Sequence, residues 1–126
     1  MKLTPVVVGI LFGIGSGASV ARANFEFLCG EGRERGLKEA EISFVDSLSS
    51  SMKLYLKGSE VSDEKLGFKA LDGGRWIVSV QRGEGSRKFL FQQGADASVQ
   101  ESLVDENGSE RSVGAKKKCI YRRMNE

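Results

Sequence analysis

The sequence predicts an all-β domain, a small antiparallel meander barrel or two-sheet sandwich of about seven to nine short strands. Three observations carry this. Apolar residues alternate with polar ones at a period of two, glycine-rich turns separate the alternating runs, and two cysteines stand near the two ends of the domain. Alternation sends successive side chains to opposite faces, which suits strands buried on one side.

The first residues predict something other than the domain. Met1-Lys2-Leu3 carries one positive charge, the run Pro5 to Ile14 is apolar, Gly15 to Ser19 is small and polar, and Ala21-Arg22-Ala23 follows. That order is the template of a secretory signal, with an A-x-A site that places cleavage before Asn24. The apolar run is about half of the roughly 20 residues that cross a bilayer, and four glycines fall between Gly9 and Gly17. The expectation is a cleavable signal over residues 1–23 and one disulfide-closed domain over residues 24–126. The product would be periplasmic or secreted, with no stable membrane insertion.

Removing that segment changes the charge. The whole chain has 19 basic and 17 acidic residues. Lys2 and Arg22 leave with the signal, so the domain is balanced at 17 against 17. General nucleic-acid binding is therefore not expected. The balance is uneven along the chain: residues 111–126 hold six basic residues and one acid, a net of +5, and the rest of the domain is −5.

The strands follow in order. Phe25-Glu26-Phe27-Leu28-Cys29 alternates, with Phe25, Phe27 and Cys29 on one face. A charged stretch from Gly30 to Lys38 interrupts it, with room for one helical turn between Gly32 and Ala40. Ile42 and Phe44 share a face, then Ser47 to Ser51 reads as a loop. Met52, Leu54 and Leu56 give the cleanest alternation. Ser62 to Lys65 suits a second short turn. Leu66 to Ala70 leads into Asp72-Gly73-Gly74, and Trp76, Val78 and Val80 return inward. Gly83 to Ser86 turns the chain again before Lys88 to Phe91. Ser98 to Val104, an Asn107-Gly108 turn and Lys117 to Arg122 complete the series. Glycine marks these turns because hairpins require positive φ.

Cys29 and Cys119 have one intramolecular pairing, and an exported chain meets an oxidising compartment. The loop closed would be about 90 residues, worth roughly 4 to 5 kcal/mol on a chain-entropy model. It would join the first and last strands with α-carbons about 5 to 6 Å apart.

The chain contains no histidine. Ser-His-Asp and Cys-His catalysis and imidazole metal sites are therefore excluded, and no catalytic residue, metal site or cofactor is expected. Gly30-Glu31-Gly32 and Gly83-Glu84-Gly85 lack the continuation of a phosphate loop. The acid pairs Glu31/Glu34, Asp63/Glu64 and Asp105/Glu106 lie in charged turns, without the apolar surroundings that raise a carboxyl pKa. Asn107-Gly108-Ser109 also matches a glycosylation acceptor, although turn chemistry accounts for it.

What remains is binding. Lys116, Lys117, Lys118, Tyr121, Arg122 and Arg123 make the last strand basic, read either as a contact surface or as an edge strand blunted by lysine. Tyr55 and Lys57 are further candidate binding residues. Tyr55-Leu56-Lys57-Gly58, the early Phe27-x-Cys29 and the late Cys119 resemble the layout of periplasmic inhibitors of c-type lysozyme, which are small exported β-barrels with a Trp/Tyr-x-Lys-Gly element. The chain departs from that family in placing Cys119 61 residues beyond Gly58 and in lacking a Ser-Gly-x-x-Tyr loop. Membership does not follow from the match.

The expected function is an exported, non-catalytic binding protein of the inhibitor, adaptor or host-directed kind. It would present the loops Gly30–Lys38, Ser47–Ser51 and Gly83–Ser86 to a protein or envelope polymer. The alternative is a barrel that carries a small apolar ligand among Phe44, Phe68, Trp76, Phe89 and Phe91.

Overall fold

The structure, a computed structural model, describes residues 24–47 and 50–123. The expected signal over residues 1–23, Leu48 and Ser49 of the serine run, and residues 124–126 lie outside them.

Among the described residues, nine antiparallel strands form one curled half-barrel sheet, all β as the alternation predicts. They are β1 (Phe25–Cys29), β2 (Ile42–Ser47), β3 (Ser50–Leu56), β4 (Ser59–Glu60), β5 (Leu66–Leu71), β6 (Arg75–Arg82), β7 (Gly85–Gln92), β8 (Ser98–Val104) and β9 (Glu110–Arg123). Single 3-10 turns at Arg33–Arg35 and Asp63–Lys65 stand where short helical turns were expected. Among the described residues, no helix is long and apolar enough to cross a membrane.

The spatial order is β4-β3-β2-β1-β9-β8-β7-β6-β5. The chain's first strand pairs with its last, and the sheet opens instead between β4 and β5, which are consecutive in sequence. This overturns the edge reading of the basic strand. At Lys118 and Cys119, β9 is bonded on both sides. The Lys118 carbonyl accepts the Gly30 N–H at 2.9 Å, and the Cys119 N–H donates to the Ala97 carbonyl at 2.9 Å. The lysines therefore do not blunt an edge; the true edges are β4 and β5.

β9 joins two halves. Its residues Glu110 to Val113 and Lys117–Lys118 pair with β8, and Cys119 to Arg123 pair with β1. Between Val113 and Lys117, β9 advances four residues while β8 advances two, from Glu101 to Val99, so β9 carries two extra residues in a bulge. Gly114 takes φ 67° there, a conformation that costs other L residues energy. The Gln100 amide donates to the Gly114 carbonyl at 3.2 Å.

The core lies where the two halves face each other. Phe27, Phe44, Phe89, Phe91, Leu54 and Val78 are fully buried, and Val99 nearly so. Phe27 and Phe44 from one half meet Phe91 from the other at centroid distances of 5.1 and 5.0 Å. Trp76 lies 5.6 Å from Phe44 and 5.7 Å from Phe25. Tilted and edge-on rings at such separations add to the stabilisation from area burial.

Cys29 and Cys119 are bonded and join β1 to β9. Their α-carbons are 4.0 Å apart, closer than the 5 to 6 Å expected, because the residues are direct cross-strand partners. The serine run also differs from expectation. Ser47 ends β2, Ser50 and Ser51 begin β3, and Ser47 pairs with Ser50, with a register shift between Val45 and Ser47. Serine leaves the pairing intact because its backbone donor and acceptor are those of any strand residue.

Candidate functional site

The bulge in β9 creates the most basic hollow among those described. An open groove of about 460 Å³ runs between β9 and the β7–β8 connection, lined by Lys116, Lys117, Lys118, Asp96, Ser98 and Cys119, with Ala95, Ala97 and Gln92. Ala97 is buried and forms part of the floor. The groove needs the two extra residues of β9, which lift Lys116 away from regular pairing.

The three lysines are not equivalent. Lys117 shares the inward face with Cys119, and its ammonium lies 3.2 Å from the Glu41 carboxylate. Glu41 also accepts the Glu31 N–H at 2.6 Å. That backbone donor, then Lys117, holds the Glu41 carboxyl below its ordinary range. Lys116 and Lys118 are exposed and have no ion pair among the described residues. Asp96 is the one acid on the groove wall. Two unmatched ammonium groups therefore face solvent beside a structurally engaged third.

The other candidate residues are dispersed. Tyr121 turns inward, its ring 4.9 Å from Phe27 and 6.1 Å from Phe25, so it packs on the core instead of joining a contact surface. Arg122 bonds the Glu26 carboxylate through Nε at 2.7 Å. Arg123 is exposed at the end of β9. Tyr55 is half-buried on β3. Lys57 and Gly58 are the two central residues of the β3–β4 hairpin, with φ 51° and 82°, and Leu56 pairs with Ser59 across them. Positive φ at both positions is the type I′ arrangement. Lys57 shares a second hollow of about 330 Å³ with Glu31, Arg35, Lys38, Glu39 and Glu41, where the charges are mixed.

One member of each acid pair is engaged in structure. Asp63 binds Lys53 at 2.9 Å, and Glu34 lies 3.9 Å from Arg33. Asp105 accepts the N–H groups of Asn107 and Ser109, both at 2.9 Å, and so caps the turn that the Asn-Gly pair signals. No group of three metal-ligating side chains comes together among the described residues.

One hollow was not anticipated. Arg82, Gly85, Ser86, Leu103, Val104, Asp105, Ser109, Glu110 and Arg111 line an open cleft of about 340 Å³. The available signal was slight: Arg82 precedes one glycine turn, and Arg111 follows the Asn-Gly turn. Only the β7–β8–β9 pairing brings the two turns together.

Compared with known protein families, with characterised proteins and with solved structures, the chain matches none.

Proposed function

We propose that this chain is an exported, non-catalytic binding protein whose half-barrel presents the lysine groove to an anionic partner, an acidic protein or an envelope polymer. The observation that carries the reading is the pair of exposed ammonium groups, Lys116 and Lys118, without ion pairs among the described residues on a disulfide-clamped strand. A fixed scaffold lowers the ordering cost of binding, and unmatched like charges draw an anion toward the surface. Export rests on the signal-like residues 1–23 and on the disulfide, a bond that persists in oxidising compartments.

The core supports this reading over the carrier. Phe44, Phe68, Trp76, Phe89 and Phe91 fill the interior with one another, at centroid distances such as 5.8 Å for Phe44–Phe68 and 6.4 Å for Phe89–Phe91. Side chains commonly occupy the inside of a barrel this small.

The test is retention on immobilised poly-glutamate and polygalacturonate at low and high salt. The wild-type protein should bind at low salt and release as salt rises. The K116E/K118E variant should bind at least about tenfold more weakly, a difference of about 1.4 kcal/mol. Failure of the wild type to bind either polymer, or equal binding by the variant, rejects the proposal.

A further inference from the structure

The arginine cleft has a chemistry different from that of the lysine groove. Cross-strand pairs share a face, so the pairing of Arg111 with Leu103 and of Leu103 with Arg87 sets these three side chains on one side of the sheet. Arg87 is satisfied by Glu101 at 2.8 Å and lies over the Phe89 ring, 5.2 Å from its centroid. Arg82 and Arg111, by contrast, are exposed and have no ion pair among the described residues.

The two acids that line the cleft, Asp105 and Glu110, are engaged elsewhere. Glu110 binds the Lys88 ammonium at 2.8 Å. Asp105 caps its own turn through two backbone N–H groups. Glu84 and Glu106 stand on the two flanking turns, close enough that the Glu84 carboxyl raises the pKa of Glu106. Two guanidinium groups are thus left beside a cleft that Ser86 and Ser109 also line. Leu103, half-buried and on the same face as Arg111, supplies an apolar wall. At about 30 Å³ per atom, as for water in the liquid, the volume holds on the order of ten non-hydrogen atoms.

We infer that this cleft binds a small amphipathic anion, a carboxylate or phosphate head held by Arg82 and Arg111 with a short apolar body against Leu103. Guanidinium suits either head because its fork of donors matches two oxygens at once. The apolar wall favours a tail over a bare inorganic anion. The site is separate from the lysine groove and does not depend on that groove's role.

The inference is tested by titrating the disulfide-bonded protein with octanoate, octyl phosphate, acetate and octylammonium while following backbone amide shifts by NMR. Octanoate or octyl phosphate should shift the amides of Leu103, Val104 and Ser109 saturably, and comparison of the two identifies the preferred head. Acetate should bind at least about tenfold more weakly for want of a tail, and octylammonium should leave these amides unmoved. R82Q and R111Q should each weaken binding about tenfold, while K116E/K118E should not change it. The inference is overturned if neither octyl anion moves these amides, if octylammonium matches them, or if R82Q and R111Q both bind as the wild type does. Because both arginines are exposed, the variants should keep the wild-type amide spectrum elsewhere, which the same experiment reads.

Discussion

Cys29 and Cys119 face each other directly across β1 and β9, at a position where the two residues exchange no backbone hydrogen bond. The flanking bond, from the Gly30 N–H to the Lys118 carbonyl, identifies the pair as non-hydrogen-bonded, the closer of the two antiparallel arrangements. The bridge spans 90 positions of sequence and ties the start of the domain to its end. It also forms part of the lysine groove, since Cys119 lines that groove.

Removing the bridge should therefore cost about 2–5 kcal/mol, because the unfolded chain regains the freedom of a long loop. Urea unfolding of the C29S/C119S double variant measures this. A midpoint equal to that of the wild type would show that strand pairing alone holds the ends together.

Ser43 offers a test of opposite sign. Its side chain is completely buried, and its hydroxyl meets no hydrogen-bond partner among the described residues. A buried hydroxyl without a partner costs about 1–3 kcal/mol, so S43A should raise stability by up to about 1 kcal/mol once lost contacts are included. A clear loss of stability in thermal unfolding would mean that the hydroxyl is satisfied in solution.

Two turn glycines should respond differently to alanine. Gly58 and Gly108 have nearly equal φ, 82° and 85°. A Cβ at Gly58 would stand 2.6 Å from the Lys38 carbonyl oxygen, whereas at Gly108 it would meet nothing within 4 Å. G108A should cost only the left-handed penalty, about 1–2 kcal/mol. G58A should cost more, because backbone must move as well. Equal losses in denaturant titration would refute the contact between the β3–β4 turn and the Gly30–Glu41 connection.

Acid should weaken the fold. Glu41, through the Glu31 N–H and Lys117, and Glu110, through Lys88, both have carboxyls held below the ordinary value of 4.5. A carboxylate with a lowered folded-state pKa adds stability above its unfolded value and loses it as pH falls through the folded value. Stability should therefore decline progressively below about pH 4.5, and E41Q/E110Q should flatten that decline. The effect should be small because both groups are accessible to solvent. Glu106 works the other way: the Glu84 carboxyl raises its pKa, so its contribution improves on acidification. Unfolding followed between pH 3 and 7 reads the balance, and an undiminished acid loss in the double variant would remove these two glutamates as its source.

Much of the fold was legible residue by residue. Alternation located strands, as in Met52, Leu54 and Leu56, because each residue's direction depends only on its neighbours in the chain. Glycine located turns for the same local reason, and Asp72-Gly73-Gly74 joins β5 to β6 as expected. The lysines of the candidate groove were visible as charge, but their setting was not. A run of lysine reads the same on an edge as beside a bulge, and Gly114 carries no mark that separates a bulge from a turn. The arginine cleft was less legible still, since Arg82 and Arg111 stand 29 positions apart.

The sequence by itself determined the all-β class, most strand positions and the cysteine bond between the ends. Only the tertiary structure decided that β9 sits within the sheet, that the half-barrel opens between β4 and β5, and that two basic clefts form where they do. The physical reason is range. Side-chain alternation and turn chemistry are settled within a few residues, whereas strand order is settled by closure over the whole chain. The cleft walls are set by which distant strands that closure makes neighbours.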